Sequence, residues 1–181
     1  MNISVTKKSA SYKVIALFAA IAAAVILPQI FHAIGVISGT GAKVASAFLP
    51  MHIPVILAGF IGGPAVGVIA GILSPLASFA ISGMPTAALL PFMVIELGVY
   101  GLVSGLISTA KLNSFTQLII VQIAGRAARA LAVLVSIYVI GNTALTVASI
   151  GEFITAGLFG IVLQWAFIPL AADKIRGRSN V

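Results

Sequence analysis

Two arginines three positions apart, Arg126 and Arg129, stand in the middle of an apolar run from about Ser114 to Ile140. On a helix that spacing puts both on one face, with Gln122 one turn earlier. A charge near the centre of a bilayer costs between about 3 and over 10 kcal/mol, depending on the scale, unless it is paired or wetted. The chain holds three acidic residues, Glu96, Glu152 and Asp173, and Glu96 is the one placed well inside another apolar run. One arginine and one carboxylate make a structural ion pair. A second arginine leaves a positive charge over, and intramembrane ionisable groups are functional hypotheses by default. The chemistry this suggests is recognition of an anion.

Bond-breaking chemistry finds less support. Two histidines (His32 and His52) and three dispersed carboxylates give no cluster of metal ligands, and no metal or other cofactor is expected. Without cysteine there is no disulfide framework, zinc-thiolate site or cysteine nucleophile. A Walker-type glycine loop is absent, so the chain is not expected to hydrolyse ATP itself, and no nucleophile elbow accompanies His52. The chain is read as a non-enzyme.

The elements that must hold these residues follow from composition. Hydrophobic residues make up 61% of the 181, charged residues 7%, and mean hydropathy is +1.23. A soluble domain carries about a quarter charged residues. The apolar runs are long and unbroken, which favours helices over a barrel. Spans are expected at about Tyr12–Ile37 (with a kink at Pro28), Met51–Ile61, Ala65–Ile81, Thr86–Ile107, Ser114–Ile140 and Phe153–Ala172. The second is short unless its neighbours thin or tilt around it. The first exceeds the ~7–15-residue core of a cleaved signal peptide and is read as a retained span. The expected fold is an all-α integral membrane protein, one domain over residues 1–181, a single bundle of six transmembrane helices with basic tails at about 1–11 and 173–181.

Six spans put both termini on one side. That side collects Lys7, Lys8, Lys13, Lys111, Lys174, Arg176 and Arg178, and the other holds only Lys43. Both termini are therefore expected to be cytoplasmic, in a multi-pass protein of the cell membrane. The net charge of +7 is topogenic and lipid-facing on this reading, with no nucleic-acid partner.

At ~1.5 Å per residue, Arg126 lies roughly 18 Å from the cytoplasmic start of its helix, and Glu96 roughly 16 Å from the outer start of its own. Arg126 is thus the expected partner of Glu96. Arg129, one turn further out, is the surplus charge, and Tyr100, one turn below Glu96, is within reach of the same network. A lock between two helices competes with a binding site as the reading of Glu96 and Arg126. His52, at the outer start of the second helix, is read either as an interfacial cap or as a ligand contact. Trp165 is expected to anchor at the interface.

Small residues recur in two series. Ala16, Ala20 and Ala24, with Ala19 and Ala23 alongside, flatten one face of the first span. Gly59, Gly63, Gly67 and Gly71 repeat every four residues across the second and third helices. Both allow close backbone approach in lipid; the glycines are read as internal packing.

Three stretches resemble the membrane-embedded substrate-binding subunits (S components) of energy-coupling factor vitamin transporters. They are the alanine face of span one, the segment from Phe48 to Pro64 with Met51-His52-Ile53-Pro54 at its centre, and Glu96-Leu-Gly-Val-Tyr-Gly101 followed by Gly125-Arg126. The resemblance covers nearly the whole chain. It implies a high-affinity binder of a vitamin or related small molecule, with a pocket under the outer loops. It also implies that Ala16, Ala19, Ala20, Ala23 and Ala24 contact a transmembrane coupling subunit, which two cytoplasmic ATPase subunits drive. Candidate substrate contacts are Arg129, Arg126, Glu96, His52, Gln122 and Tyr100, and the surplus charge favours an anionic ligand such as pantothenate. The alternatives are a self-sufficient secondary transporter or channel, for which a lone Glu96 without repeated halves is poor support, and a membrane scaffold, which would leave the buried charges as an unexplained cost.

Overall fold

The computed structural model describes residues 9–39 and 47–176. Among them are seven helices and no strand: α1 (Ala10–Ile37), α2 (His52–Gly62), α3 (Pro64–Ser82), α4 (Leu90–Ile107), α5 (Ser114–Tyr138), α6 (Ala148–Ala156) and α7 (Leu158–Arg176). Five of these, α1, α3, α4, α5 and α7, are long and apolar enough to cross a bilayer, and α2 is a shorter apolar helix. At ~1.5 Å per residue α2 is about half as long as the ~30 Å hydrocarbon layer is thick. Longer helices enclose it: α2 packs against α1, α3, α4 and α7, and most of its residues are buried.

Local chemistry sets the ends of the elements. Gly63, at φ 87°, reverses the chain between α2 and α3 in one residue, and Pro64 starts α3 where its missing N–H is not needed. Gly83, at φ 71°, closes α3 with a left-handed cap. The Asn113 side chain accepts a hydrogen bond from the Thr116 amide (2.7 Å) and starts α5.

Helix α4 is the axis of the bundle and packs against α2, α3 and α5. Its contacts with α2 and α3 are made at backbone distance. A methyl group added at Gly67 would meet the Gly101 carbonyl, one at Gly71 the Leu97 carbonyl, and one at Gly59 the Ser104 side chain. Three members of the glycine series therefore pack inside the bundle, while Gly63 serves the turn. On the opposite side of α4, Gly125 of α5 leaves room for the Tyr100 ring. Ala24, Val55, Ile56, Phe60, Leu97, Leu118, Val121 and Ile168 fill the common core.

Several expected boundaries move. The last apolar stretch, read as one span from Phe153 to Ala172, is two helices that meet at Gly157, which lies against the Leu49 side chain and the Arg126 guanidinium. The fourth span begins at Leu90, because the amides of Leu89 and Leu90 bond back to the Thr86 carbonyl in a turn (2.9 and 3.0 Å). The arginine helix ends at Tyr138. Of the six expected spans, five correspond to long apolar helices among the described residues and the second to the short, enclosed α2, with the short α6 in addition. Lys7, Lys8, Lys43, Arg178 and most of the Ser38–Pro50 connection lie outside the described residues.

Candidate functional site

Glu96 faces α5 from the first half of α4 and is fully buried. Arg129 Nη1 donates a hydrogen bond to its Oε2 at 2.6 Å. Arg126 Nε stands 3.5 Å from Oε1, at ion-pair distance without a hydrogen bond. Tyr100, one turn along α4, donates its hydroxyl to the same Oε1 at 3.1 Å. His52, the first residue of α2, brings Nε2 to 3.7 Å from that oxygen and sets its ring edge-on to Tyr100. One carboxylate thus gathers side chains from α2, α4 and α5. Arg129, expected to be unpaired, makes the charged hydrogen bond, and Arg126, expected to make it, is the looser partner.

Arg126 and Arg129 have a second contact in common. Phe153 of α6 lays its ring 4.1 Å from the Arg129 guanidinium carbon, and its backbone carbonyl accepts a hydrogen bond from Arg126 Nη1 at 3.2 Å. The cluster has one negative and two positive side chains, so with a neutral His52 it carries one uncompensated positive charge. Arg126 Nε and Nη2, Arg129 Nε and both His52 ring nitrogens are buried without a hydrogen-bond partner among the described residues. Buried polar atoms of this kind are uncommon in proteins.

Beside the cluster lies a cavity of about 320 Å³, within the usual ~300–1,000 Å³ of small-molecule sites. Arg129, His52 and Phe153 line it. Pro28 and His32 of α1, Ser78 of α3, the Leu49–Met51 segment and the Met84–Thr86 turn complete it, together with Leu89 and Met93. The lining is mainly apolar with a few convergent polar groups, as in small-molecule pockets generally.

Of the six expected contacts, Arg129 and His52 border this cavity. Arg126, Glu96 and Tyr100 stand behind them in the same network. Gln122 stands apart: it donates to Gln164 Oε1 of α7 (3.0 Å) and accepts from Trp165 Nε1 (2.7 Å). Trp165, expected as an interface anchor, is partly exposed and gives its N–H to this α5–α7 link. Phe153 and Ser78 escaped the sequence reading, since an aromatic or a serine in an apolar run gives no charge or spacing signal.

The alanine face of α1 divides. Ala20 packs inward against Ala58, Val66 and Ala70, and Ala24 is fully enclosed in the core, out of reach of any partner. Ala16, Ala19 and Ala23, with the edge of Ala20, border an open groove of about 450 Å³ between α1 and α7. Ile53, Leu57 and Ile61 of α2 form its floor, and its lining is almost wholly apolar.

Comparison with curated proteins and with solved structures gave no match. A family model described as "ECF transporter, substrate-specific component" matches residues 13–172. With that match covering the bundle, its charged cluster and its cavity, the chain belongs to the family of substrate-specific components of energy-coupling factor transporters.

Proposed function

We propose that the chain binds a small anionic vitamin or vitamin precursor in the cavity beside Arg129 and presents it for import. Family membership supports the substrate-binding role, and the net positive charge of the Glu96–Arg126–Arg129 cluster is the observation that carries the choice of an anion. A carboxylate placed in the cavity would complete the neutralisation that Glu96 begins, taking the donors that Arg129 does not spend on Glu96. Hydrogen bonds to charged groups contribute about 1.5–3 kcal/mol, and they act more strongly where water is excluded. Pantothenate is one ligand of this class. The cavity faces outside if the lopsided lysines and arginines set the topology as they ordinarily do, with both termini cytoplasmic. ATP hydrolysis then belongs to partner subunits, and the groove beside Ala16, Ala19 and Ala23 is the surface offered to the membrane-embedded coupling subunit.

The protein purified in detergent should carry a small acid identifiable by mass spectrometry. Arg129→Gln should bind that acid at least about tenfold more weakly, as loss of one charged hydrogen bond implies. Arg129→Lys should restore only part of the loss, because an ammonium lacks the two-pronged guanidinium geometry. Unchanged affinity in Arg129→Gln would sink the anionic reading.

A further inference from the structure

The wall of the cavity away from the arginines holds an unexplained hydroxyl. Ser78 of α3 is fully buried, borders the cavity, and has no hydrogen-bond partner for its Oγ among the described residues. Other serines in these helices satisfy themselves on the preceding turn. Ser82 donates to the Ser78 carbonyl (2.8 Å), Ser104 to the Gly101 carbonyl (3.1 Å) and Ser108 to the Gly105 carbonyl (2.8 Å). Ser78 does not, although its own carbonyl accepts the bond from Ser82. Pro75, which interrupts the hydrogen-bond ladder of α3, lies between Ser78 and an equally unpartnered Ser74. On the α2 side of the same cavity, His52 turns Nε2 to Glu96 (3.7 Å) and has no hydrogen-bond partner for Nδ1 among the described residues. Orphaned polar atoms are rare in folded proteins and call for a partner; here two residues that carry them, on α2 and α3, line one cavity together with the arginine that α5 supplies.

We infer that Ser78 and His52 form an uncharged subsite of this cavity, which takes a hydroxyl or amide group of the ligand while Arg129 takes its anionic group. This rests on the anion-binding reading above. The substrate class narrows accordingly to small acids with a neutral hydrogen-bonding group separated from the acid by an apolar body. A plain fatty acid of the same size leaves the subsite empty and binds less well.

The test uses a matched pair of probes, hexanoate and ω-hydroxyhexanoate, and the full chain in detergent with thermal unfolding as the readout. Ser78→Ala without ligand should unfold at or above the wild-type temperature, because it removes a polar group that has no partner. A lower temperature would mean that the hydroxyl has an internal role and would overturn the inference. With wild type, the hydroxy acid should stabilise at concentrations at least about fivefold lower than hexanoate. Ser78→Ala should respond to hexanoate as wild type does and lose the preference. A wild type without preference, or a preference that survives in Ser78→Ala, overturns the subsite and leaves the anion site standing. Arg129→Gln, which must first show a cooperative unfolding transition of its own because it also loses the bond to Glu96, should lose its response to both acids. If it keeps both, or if wild type responds to neither, the anion reading itself fails and the subsite falls with it.

Discussion

At the scale of residues, Glu96 is the charge on which the cluster depends. It neutralises one arginine through a hydrogen bond and half-satisfies another, inside a bundle where neither can reach water easily. Breaking such a pair by removing one member costs about 3–5 kcal/mol, because a buried charge is left uncompensated. Glu96→Gln should therefore lower the unfolding temperature strongly or abolish expression, and pairing it with Arg129→Gln should recover part of the loss. Thermal unfolding of the two single variants and the double variant checks this, and strictly additive losses would mean that the two side chains do not interact. The sequence brought Glu96 and Arg126 to one depth and paired them, with Arg129 left as a surplus charge. It did not show which arginine binds. Helix rise places a residue along its axis to within a turn, whereas the choice between Arg126 and Arg129 depends on helix rotation and tilt. The part played by Phe153 was hidden for another reason: it acts through a ring face and a backbone carbonyl, and neither stands out in an apolar sequence.

At the scale of elements, close glycine contacts hold the bundle together. Lipid supplies no hydrophobic drive between helices, so α2 and α3 adhere to α4 by approaching until backbones touch. Gly101→Val would place a side chain against the Gly67 carbonyl, where neither side can yield as a flexible side chain would. The expected loss is at the upper end of the ~1–3 kcal/mol typical of overpacking, or beyond it. Detergent-extracted yield and unfolding temperature measure it, and a wild-type value for both would contradict the packing described. Gly151→Ala, on α6 where an added methyl meets nothing within 4 Å, is the matched control. The four-residue glycine repeat made this packing legible in the sequence, although it could not separate the turn at Gly63 from the contacts at Gly59, Gly67 and Gly71. The break at Gly157 was less legible. Hydropathy runs on through it, and a single glycine in an apolar run does not by itself announce a break.

At the scale of the whole molecule, the lysines and arginines predict which way the bundle faces. A cysteine introduced at Ser38 should react with an impermeant reagent in intact cells, and one at Lys111 should not; the reverse pattern would invert the topology and turn the cavity inward. The groove between α1 and α7 makes a separate prediction. Ala19→Trp fills it without entering the core, so ligand binding by the isolated chain should survive while uptake and co-purification with the coupling subunit fall. Ala20 is a poorer probe, being packed inward, and intact uptake in Ala19→Trp would leave the groove as an ordinary lipid-facing surface. The two halves of the molecule meet in α2. One face of this eleven-residue helix brings His52 to the cavity, and another supplies Ile53, Leu57 and Ile61 to the groove. It spans too little of the bilayer to be fixed at both membrane surfaces. Any subunit that wedges between α1 and α7 and moves this floor also moves a wall of the ligand site. Thermodynamic linkage then sets the two affinities in a fixed exchange: whatever factor the docked subunit takes from the grip on the ligand, the ligand takes from the grip on the subunit. To the extent that docking moves α2, ligand and subunit sense each other through one short helix.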